Sequence, residues 1–421
     1  MDLRYTDNPV TQRRVVVTGM GAVTPFGCGV PAMWQALVEG RTAVRHCPML
    51  AEVRGLRTTV AARVPEIDAQ WIDRKKRRYM SSMSLYATVA AHEAIRMAGL
   101  TPEDLSDFRT GVCVGSTTGS TREIEHVFGE VLKERTIDGV KSTHFFKIMS
   151  NSCAANLAQA LGIRGRMLAP SAACATGTIA VGLAAESIAL GRQDVMICGG
   201  ADELHALTVG VFDTLEASSR AFNELPDRTP RPFDRDRDGI VCGEGAGIVI
   251  LESLEHARAR NAHIVGEVCG FAVSGSPEDM ANPGLESMVQ CMQTAVAESG
   301  LGPAQIGYLN AHATGTIRGD AAECEAVEHV FGRHLPVSSL KGHMGHTMAA
   351  CGALELIATF LMLHEGLLLP TRNLQQPDDI CGRLNLLTSI ARQQVNAALS
   401  NNFALGGVNS AMVIRRSISD G

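Results

Sequence analysis

Pro170-Ser-Ala-Ala-Cys174-Ala-Thr-Gly-Thr178, running on through IAVGLAAESIALGRQDVMICGG to Gly200, is the stretch that decides the fold. A strand-like segment turns at Cys174 into a very apolar helix over 175–190, rich in Ala and Gly. The chain then returns as a β-branched and apolar strand over 194–198, ahead of Gly199-Gly200-Ala201. Strand, helix and strand in succession are the building unit of α/β architecture. Upstream, 15–17 (VVV, after Arg13-Arg14) reads as a buried strand ending at Gly19. Residues 75–99 read as a helix with an apolar face through Met80, Met83, Ala87, Ala90 and Ala94 and a stop at Gly99. A strand over 111–115 and a helix over 153–162 follow. Downstream, 216–240 is irregular and charged, and 247–251 is a strand. The alternation then restarts: strand 265–273, helix 285–299, strand 306–311, helix 319–332, a long apolar helix over 347–365 and a last strand at 411–415. No linker of Ser, Pro or charge separates the two sets, so the pattern predicts two α/β halves sharing one rigid body.

Composition sets the bounds. The chain has 421 residues, 45% hydrophobic and 19% charged, and its 38 Lys and Arg against 44 Asp and Glu leave a formal charge of −6. That is enough apolar material for about two or three domains or one double-sized unit. Mild acidity argues against a nucleic-acid partner, and 42 Gly with only 16 Pro in an apolar chain argues against disorder. No window reaches about 18 uninterrupted apolar residues, and MDLRYTDNPVTQRR lacks the apolar core of a secretion signal. A cytoplasmic protein with no membrane association is expected. Twelve cysteines with no CxxC pair agree, and in a reducing compartment most are expected to be free and inert.

Three short stretches carry chemistry. Cys174 stands at the start of a helix, where the dipole and unpaired amides favour thiolate, and Ala172, Ala173, Ala175 and Gly177 leave room for a substrate. A buried inert thiol is the alternative for any cysteine. His312, in Asn310-Ala-His-Ala-Thr314-Gly-Thr316, follows a strand end, a common place for an active-site side chain. By itself it is equally a structural histidine. In Lys341-Gly-His343-Met-Gly-His346, His346 is read as opening the long helix, a place that keeps the ring neutral and able to donate from Nε2.

Three look-alikes are set aside. Gly19 and Gly21 begin a GxGxxG, but Thr24 and Pro25 end it and no acidic residue follows a second strand, so a tight turn is preferred to nucleotide binding. His343 and His346 form HxxH without the glutamate of HExxH, so no metal is expected. Asp234, Asp236, Asp238 and Gly239 open like a calcium loop, but its twelfth position is Gly245 and the flanks are not helices.

Taken together, RRVVVTGMGAVTPFG, ACATG, RPFDRDRDGIVCGEGAG, NAHATGT, KGHMGHTMAACGALE and SNNFALGGVN occur in order along nearly the whole chain. In these motifs the sequence resembles the elongating (FabF/FabB-like) type II β-ketoacyl-[acyl-carrier-protein] synthases, condensing enzymes of the thiolase-fold family. The resemblance implies two similar βαβ-rich halves in a five-layered α-β-α-β-α body, with 1–255 carrying the nucleophile and carrier-protein docking segment and 256–421 the two histidines. It implies an acyltransferase (EC 2.3.1.-) that joins malonyl-carrier protein, with loss of CO2, to an acyl group held on Cys174. The expected pathways are fatty acid or polyene/polyketide biosynthesis. His312 and His346 are implied as the pair that promotes decarboxylation, and Lys341 as the active-site lysine. Asp320, Glu323 and Glu355 are implied as supporting carboxylates, and the amides of Cys174 and Leu405 as the oxyanion hole. Thr314 and Thr316 are implied to hold the phosphopantetheine arm. No cofactor or metal is implied, the substrates being carried on acyl carrier protein.

The sequence departs from the family in two places. The gating loop reads Asn402-Phe403-Ala404-Leu405-Gly406-Gly407, with Leu405 in place of the second Phe, and Thr117-Thr118 replace Gly and an apolar residue. A wider or more polar acyl channel, lined by Phe403 and Thr118, is expected. The acidic carrier protein needs a basic patch, and the resemblance assigns docking to Lys75 and Arg78, with Lys141 and Arg220 at further positions. A homodimer is implied. Similarity to polyene and polyketide synthases leaves open the active subunit of a heterodimer with a chain-length-factor partner, and a non-catalytic carrier-binding partner is disfavoured by the intact Cys174. A thiolase is disfavoured because no second cysteine lies in NNFALGGVN.

Overall fold

The structure, a computed structural model, describes residues 12–281 and 284–417. Residues 1–11, most of the stretch read above for a secretion signal, lie outside the described residues. Twelve strands join in one mixed sheet among the described residues, and ten of them fall into two sets of five. The first set is β1 (Val15–Thr24), β2 (Thr110–Gly115), β3 (Met167–Leu168), β4 (Val195–Asp202) and β5 (Gly245–Ser253). Its spatial order is β1-β5-β4-β2-β3. The second is β6 (Gly266–Gly275), β7 (Tyr308–Asn310), β8 (Pro336–Ser338), β9 (Ala397–Ala404) and β10 (Val408–Arg416), in the order β6-β10-β9-β7-β8. Both sets repeat one rule. The first strand is antiparallel to the last, the last antiparallel to the fourth, and the fourth, second and third are parallel. The sets meet where Val15–Val17 pairs with 266–268. The short helix Leu254–Ala259 joins them, which is where the expected division between 255 and 256 falls.

Helices complete the layers. α1 (Ser82–Ala98) and α2 (Ser152–Leu161) cover the outer face of the first set. α3 (Thr176–Ala189) packs on β2, β4 and β5 and also touches β6 and β10. α4 (Leu285–Glu298) covers β6 and β10 with α5 (Ile317–Phe331) beside it, and α6 (Cys351–Glu365) lies against β5 and β9. The result is helix, sheet, helix, sheet, helix. α3 and α6 form the middle layer because they are apolar on every side. Eleven residues of α3 and twelve of α6 are buried. The segment Met348–Glu365 is long and apolar enough to cross a membrane by length and composition, but 83% of it is buried inside the protein, as a core helix should be.

The structure corrects several readings. β1 does not stop at Gly19 in a turn but runs on to Thr24. The glycines serve close packing: a Cβ on Gly19 or Gly21 would stand 2.1 or 1.9 Å from the carbonyl oxygens of Ala94 and Ala90, so only glycine lets α1 lie this near β1. The helix expected over 75–99 is two helices, Arg74–Arg77 capped by Asp73, and α1 starting after Ser81 in an extended conformation. The helix Ala206–Thr214 and the strand β9 have no counterpart in the sequence reading. β9 hides because its central Ser400, Asn401 and Asn402 are fully buried yet polar, which breaks the apolar signature of a core strand.

Candidate active site

Two turns bring the chemistry together. Cys174 is the middle residue of the 3-10 turn Ala173–Ala175 that opens α3, and Ala173 is held at φ 45°. The 3-10 turn Met348–Ala350 opens α6 in the same way, with Met348 at φ 51°. The two turns touch. They can do so because Gly177 and Gly352 sit in the first turns of the two helices, where a Cβ would meet Ala349 O at 2.6 Å and Thr178 Oγ1 at 2.1 Å. His346 does not open the helix as expected, since α6 begins five residues later. It lies in extended chain, where its N–H donates to Val241 O at 2.7 Å and its C=O accepts from Gly243 N at 2.8 Å.

His346 Nε2 lies 2.8 Å from Cys174 Sγ. Its Nδ1 accepts the Met348 N–H at 3.2 Å. A backbone amide can only donate, so the neutral ring carries its proton on Nε2, facing the thiol. His312 stands edge-on to His346 with ring centroids 5.3 Å apart, and one ligand atom from each of Cys174, His312 and His346 falls within 4.8 Å of the others. His312 Nδ1 lies 3.5 Å from Asn402 Nδ2, which again leaves the ring proton for Nε2. Burial, then the nearby Lys341 charge, hold both histidines well below the ordinary value, so they are neutral donors.

Cys174 overturns one expectation. Helix-start position was expected to depress its pKa, but the thiol is buried and is pushed up to about 12. Burial dominates, and the charge of Asp202 adds to it. Lys341 and the backbone amides of Leu405 and Cys174 pull in the opposite direction. Those are the two amides assigned to the oxyanion hole, here directed at the sulfur.

The supporting residues fix the histidines. Glu323 accepts the amides of His312 and Ala313 at 2.9 and 2.7 Å, and Asp320 accepts those of Thr314, Gly315 and Phe233 at 3.0, 3.1 and 2.8 Å. Burial raises them to about 7 and about 6. Lys341 Nζ pairs with Glu355 at 2.5 Å, both fully buried, and Glu355 also accepts from Asn402 at 2.9 Å. Lys341 therefore acts on the site through its field, from outside the cavity wall. Two of the three aspartates of the calcium-like loop bind backbone amides instead: Asp234 accepts from Gln375 N and Gln376 N, and Asp238 from Arg220 N and Ala221 N, while Asp236 is exposed. Both ring nitrogens of His343 face carbonyl oxygens, of Arg41 and Pro370, so His343 is not a partner of His346 in a metal pair.

A cavity of about 450 Å³ opens over Cys174, His312 and His346. Thr314, Thr316, Phe403 and Leu405 line it, as expected. Phe403 packs edge-on to His312 with centroids 6.2 Å apart, and Leu405 leans on the cluster of Leu50, Phe212 and Ile240. Thr118 does not line the cavity; it is exposed and donates to Gly119 O. Lys75, Arg78, Lys141 and Arg220 are all exposed. Of these, Arg220 is nearest in sequence to mouth residues, Glu216 and Ala217, and its guanidinium lies 3.9 Å from Glu216. The sequence reading passed over Arg318, exposed on the cavity wall, and Asp202 and Asn402, which touch the two catalytic turns. Asp202 lies at a strand end, the one signal that pointed to His312, whereas Asn402 sits inside β9, where no such signal exists.

Comparison with known proteins shows the family. Residues 12–257 match the family described as "Beta-ketoacyl synthase, N-terminal domain" and residues 265–375 its C-terminal domain. The chain is 36% identical over 408 residues to 3-oxoacyl-[acyl-carrier-protein] synthase 1 of Escherichia coli, covering 96% of this chain and 99% of that protein. It superposes on the crystal structure of a β-ketoacyl synthase from Burkholderia phymatum with a TM-score of 0.93 and 41% identity, over 96% of this chain and 100% of the other. The ishigamide ketosynthase/chain length factor superposes with a TM-score of 0.90 at 30% identity, over 97% and 100%.

Proposed function

The chain belongs to the β-ketoacyl synthase family of condensing enzymes, and we propose that Cys174 carries the growing acyl chain while His312 and His346 drive malonyl decarboxylation. The observation that carries this reading is the 2.8 Å approach of His346 Nε2 to Cys174 Sγ with His312 edge-on beside it. In the first step Cys174 sulfur attacks the acyl thioester, the carrier arm leaves as free thiol, and the acyl group stays on sulfur. The passing oxyanion is held by the amides of Cys174 and Leu405. Malonyl thioester then loses CO2, and its electron pair becomes an enolate whose oxygen accepts from the two Nε2–H groups. Neutral donors suit this step because an enolate forms without any strong base. The enolate carbon attacks the acyl-Cys carbonyl, a C–C bond forms, and Cys174 leaves as thiolate. No metal or redox group has a part in this scheme.

Thr314 and Thr316, whose hydroxyls lie 3.3 Å apart on the cavity wall, suit a pantetheine arm. The exposed Lys75, Arg78, Lys141 and Arg220 suit an acidic carrier protein. Leu405 in place of an aromatic gate favours an acyl chain other than an ordinary saturated one. A second subunit is also part of the proposal. The helices Thr121–Glu134 and Ser142–Ile148 expose four large apolar side chains, Phe128, Leu132, Phe145 and Phe146, to solvent, the kind of surface a partner chain covers. A second copy is the first candidate, and a chain-length-factor-like subunit the alternative, supported by the likeness to the ishigamide ketosynthase/chain length factor. All twelve cysteines are free thiols, which fits a cytoplasmic location.

The test is intact-mass spectrometry after mixing the protein with carrier protein loaded with a panel of acyl chains. An adduct on Cys174 is expected, and the chains that load fastest identify the pathway. Loading only after a partner subunit is added selects the heterodimer. No loading under either condition overturns the catalytic reading.

A further inference from the structure

Asp202 ends β4 and has no role in the scheme above. Its carboxylate is only 4% exposed. One oxygen accepts the Ala349 N–H at 2.9 Å and the Thr117 hydroxyl at 2.5 Å, and both oxygens lie 3.3 Å from the Thr117 N–H. Ala349 is the middle residue of the turn Met348–Ala350. The first residue of that turn, Met348, holds a left-handed φ of 51° that a side chain of this size adopts only under constraint. The Met348 N–H is the group that binds His346 Nδ1.

The second half contains a matching arrangement. Gly115 pairs with Gly200 and Asn310 with Ser400 at the ends of the parallel strands. Two residues beyond each pair, Thr117 meets Asp202 and His312 meets Asn402. Asn402 in turn accepts the hydroxyl of Thr178, at the start of α3. Each half thus uses a side chain of its fourth strand, two residues past the last parallel pair, to hold the helix start of the other.

We propose that Asp202 is a positioning residue for His346: by holding the Ala349 amide it keeps the Met348 N–H on Nδ1, and so keeps the His346 proton on Nε2, facing the substrate oxygen. This assignment rests on the reading of His346 as a donor in decarboxylation. It also gives Thr117 a use, since its hydroxyl is one of the donors that favour the ionised form of Asp202 and so oppose the rise that burial causes. The titratable groups facing Asp202 are Glu203 beside it on the chain, Cys153 on α2, and Cys174.

The experiment compares Asp202→Asn, nearly isosteric but with one acceptor oxygen, against the parent in two half-reactions. Decarboxylation of malonyl-carrier protein, measured as CO2 release in a Cys174→Gln background, is expected to fall about 10- to 100-fold. Acyl loading of Cys174 in the otherwise native protein is expected to persist and to reach half its maximal rate at lower pH, because a negative charge near the thiol has gone. General damage to the fold would depress both reactions with no shift in the loading profile. That parallel loss, or decarboxylation within about twofold of the parent, overturns the assignment. If Asp202→Asn does not fold, Thr117→Val serves instead. Losing the hydroxyl raises the Asp202 pKa, so the fall in decarboxylation on the acid side should move to higher pH, and an unmoved profile overturns the assignment. A native protein that neither loads nor decarboxylates overturns the condensing reading itself, and this one with it.

Discussion

In the first half of the molecule, the turn that opens the buried helix α3 carries Cys174 just after a left-handed Ala173; in the second half the matching turn, opening α6, carries Ala349 just after a left-handed Met348. The strand order around the two turns is the same. Where the first half places Thr117 against Asp202, the second places His312 against Asn402. One framework therefore presents a buried thiol on one side and neutral N–H hydrogen-bond donors on the other. The difference teaches where the chemistry is allowed to vary. The glycines that let the two turns touch recur in both halves, as Gly177 and Gly352, whereas the side chains pointing into the shared space diverge. The halves also differ in charge. The second buries the Lys341–Glu355 ion pair and holds His312, Asp320 and Glu323 nearby, while the first contributes a neutral thiol and Asp202.

The contrast can be broken by removing the group that distinguishes each half. Cys174→Ala should lower condensation by about 10⁴-fold or more, as expected for loss of a covalent nucleophile. Intact mass should show no acyl adduct while Cys174→Gln still releases CO2 from malonyl-carrier protein. An adduct on another of the twelve cysteines would place the nucleophile elsewhere. On the other side, His312→Ala or His346→Ala should each cost about 10²- to 10³-fold in decarboxylation, with acyl loading far less affected. A loss confined to loading would reverse the division of labour between the halves.

The remaining predictions concern stability and sharpen the comparison. Lys341→Ala leaves Glu355 buried without its partner, and about 3–5 kcal/mol of stability should be lost. Lys341→Ala/Glu355→Gln should recover part of that loss, as read from denaturant midpoints. Gly352→Ala forces a methyl against Thr178 where the helix starts meet and should cost about 1–3 kcal/mol, with Gly177→Ala similar if the two halves are mechanically equivalent. The smallest effect is on pH. Asp202, Glu323 and Asp320 are raised by burial to about 7, 7 and 6, above their unfolded values near 4. The folded state therefore binds more protons between about pH 4 and 7, and stability should rise as pH is lowered through that window. Asp194 and Glu252, held near 2 by arginine partners, give way only below it. A melting temperature that instead climbs from pH 5 to 8 would show these carboxylates to be ionised at little cost.

Much of the site was legible. Cys174, His312 and His346 stand in short runs of small residues at element boundaries, and a local pattern of that kind survives in sequence. The strands and helices were placed well wherever apolar residues were continuous, as in α3, α4 and α6. They were placed poorly where the interior is polar or glycine-rich. The central Ser400-Asn401-Asn402 of β9 is buried with Ser400 Oγ accepting from Asn310 and the Asn401 and Asn402 side-chain amides donating to Glu323 and Glu355, and no local window reports such distant partners. The tight turn expected at Gly19 failed for a related reason, since what those glycines admit is a helix more than sixty residues away in sequence.

The sequence by itself determined the alternation of two α/β sets and picked out Cys174, His312 and His346, the three side chains that the structure brings together around one cavity. These follow from local composition and from side-chain types that do one kind of work. Only the tertiary structure decided the thiol's resting state, the histidine tautomers and the contact of Asp202 with the Ala349 amide. The helix start predicted a lowered thiol pKa, yet burial, which is set by packing from both halves, raises it to about 12. Which nitrogen of His346 carries the proton depends on one amide in a strained turn, and that turn is held by a carboxylate 147 residues away along the chain. Electrostatics and hydrogen bonding act through space, and a linear sequence does not list spatial neighbours.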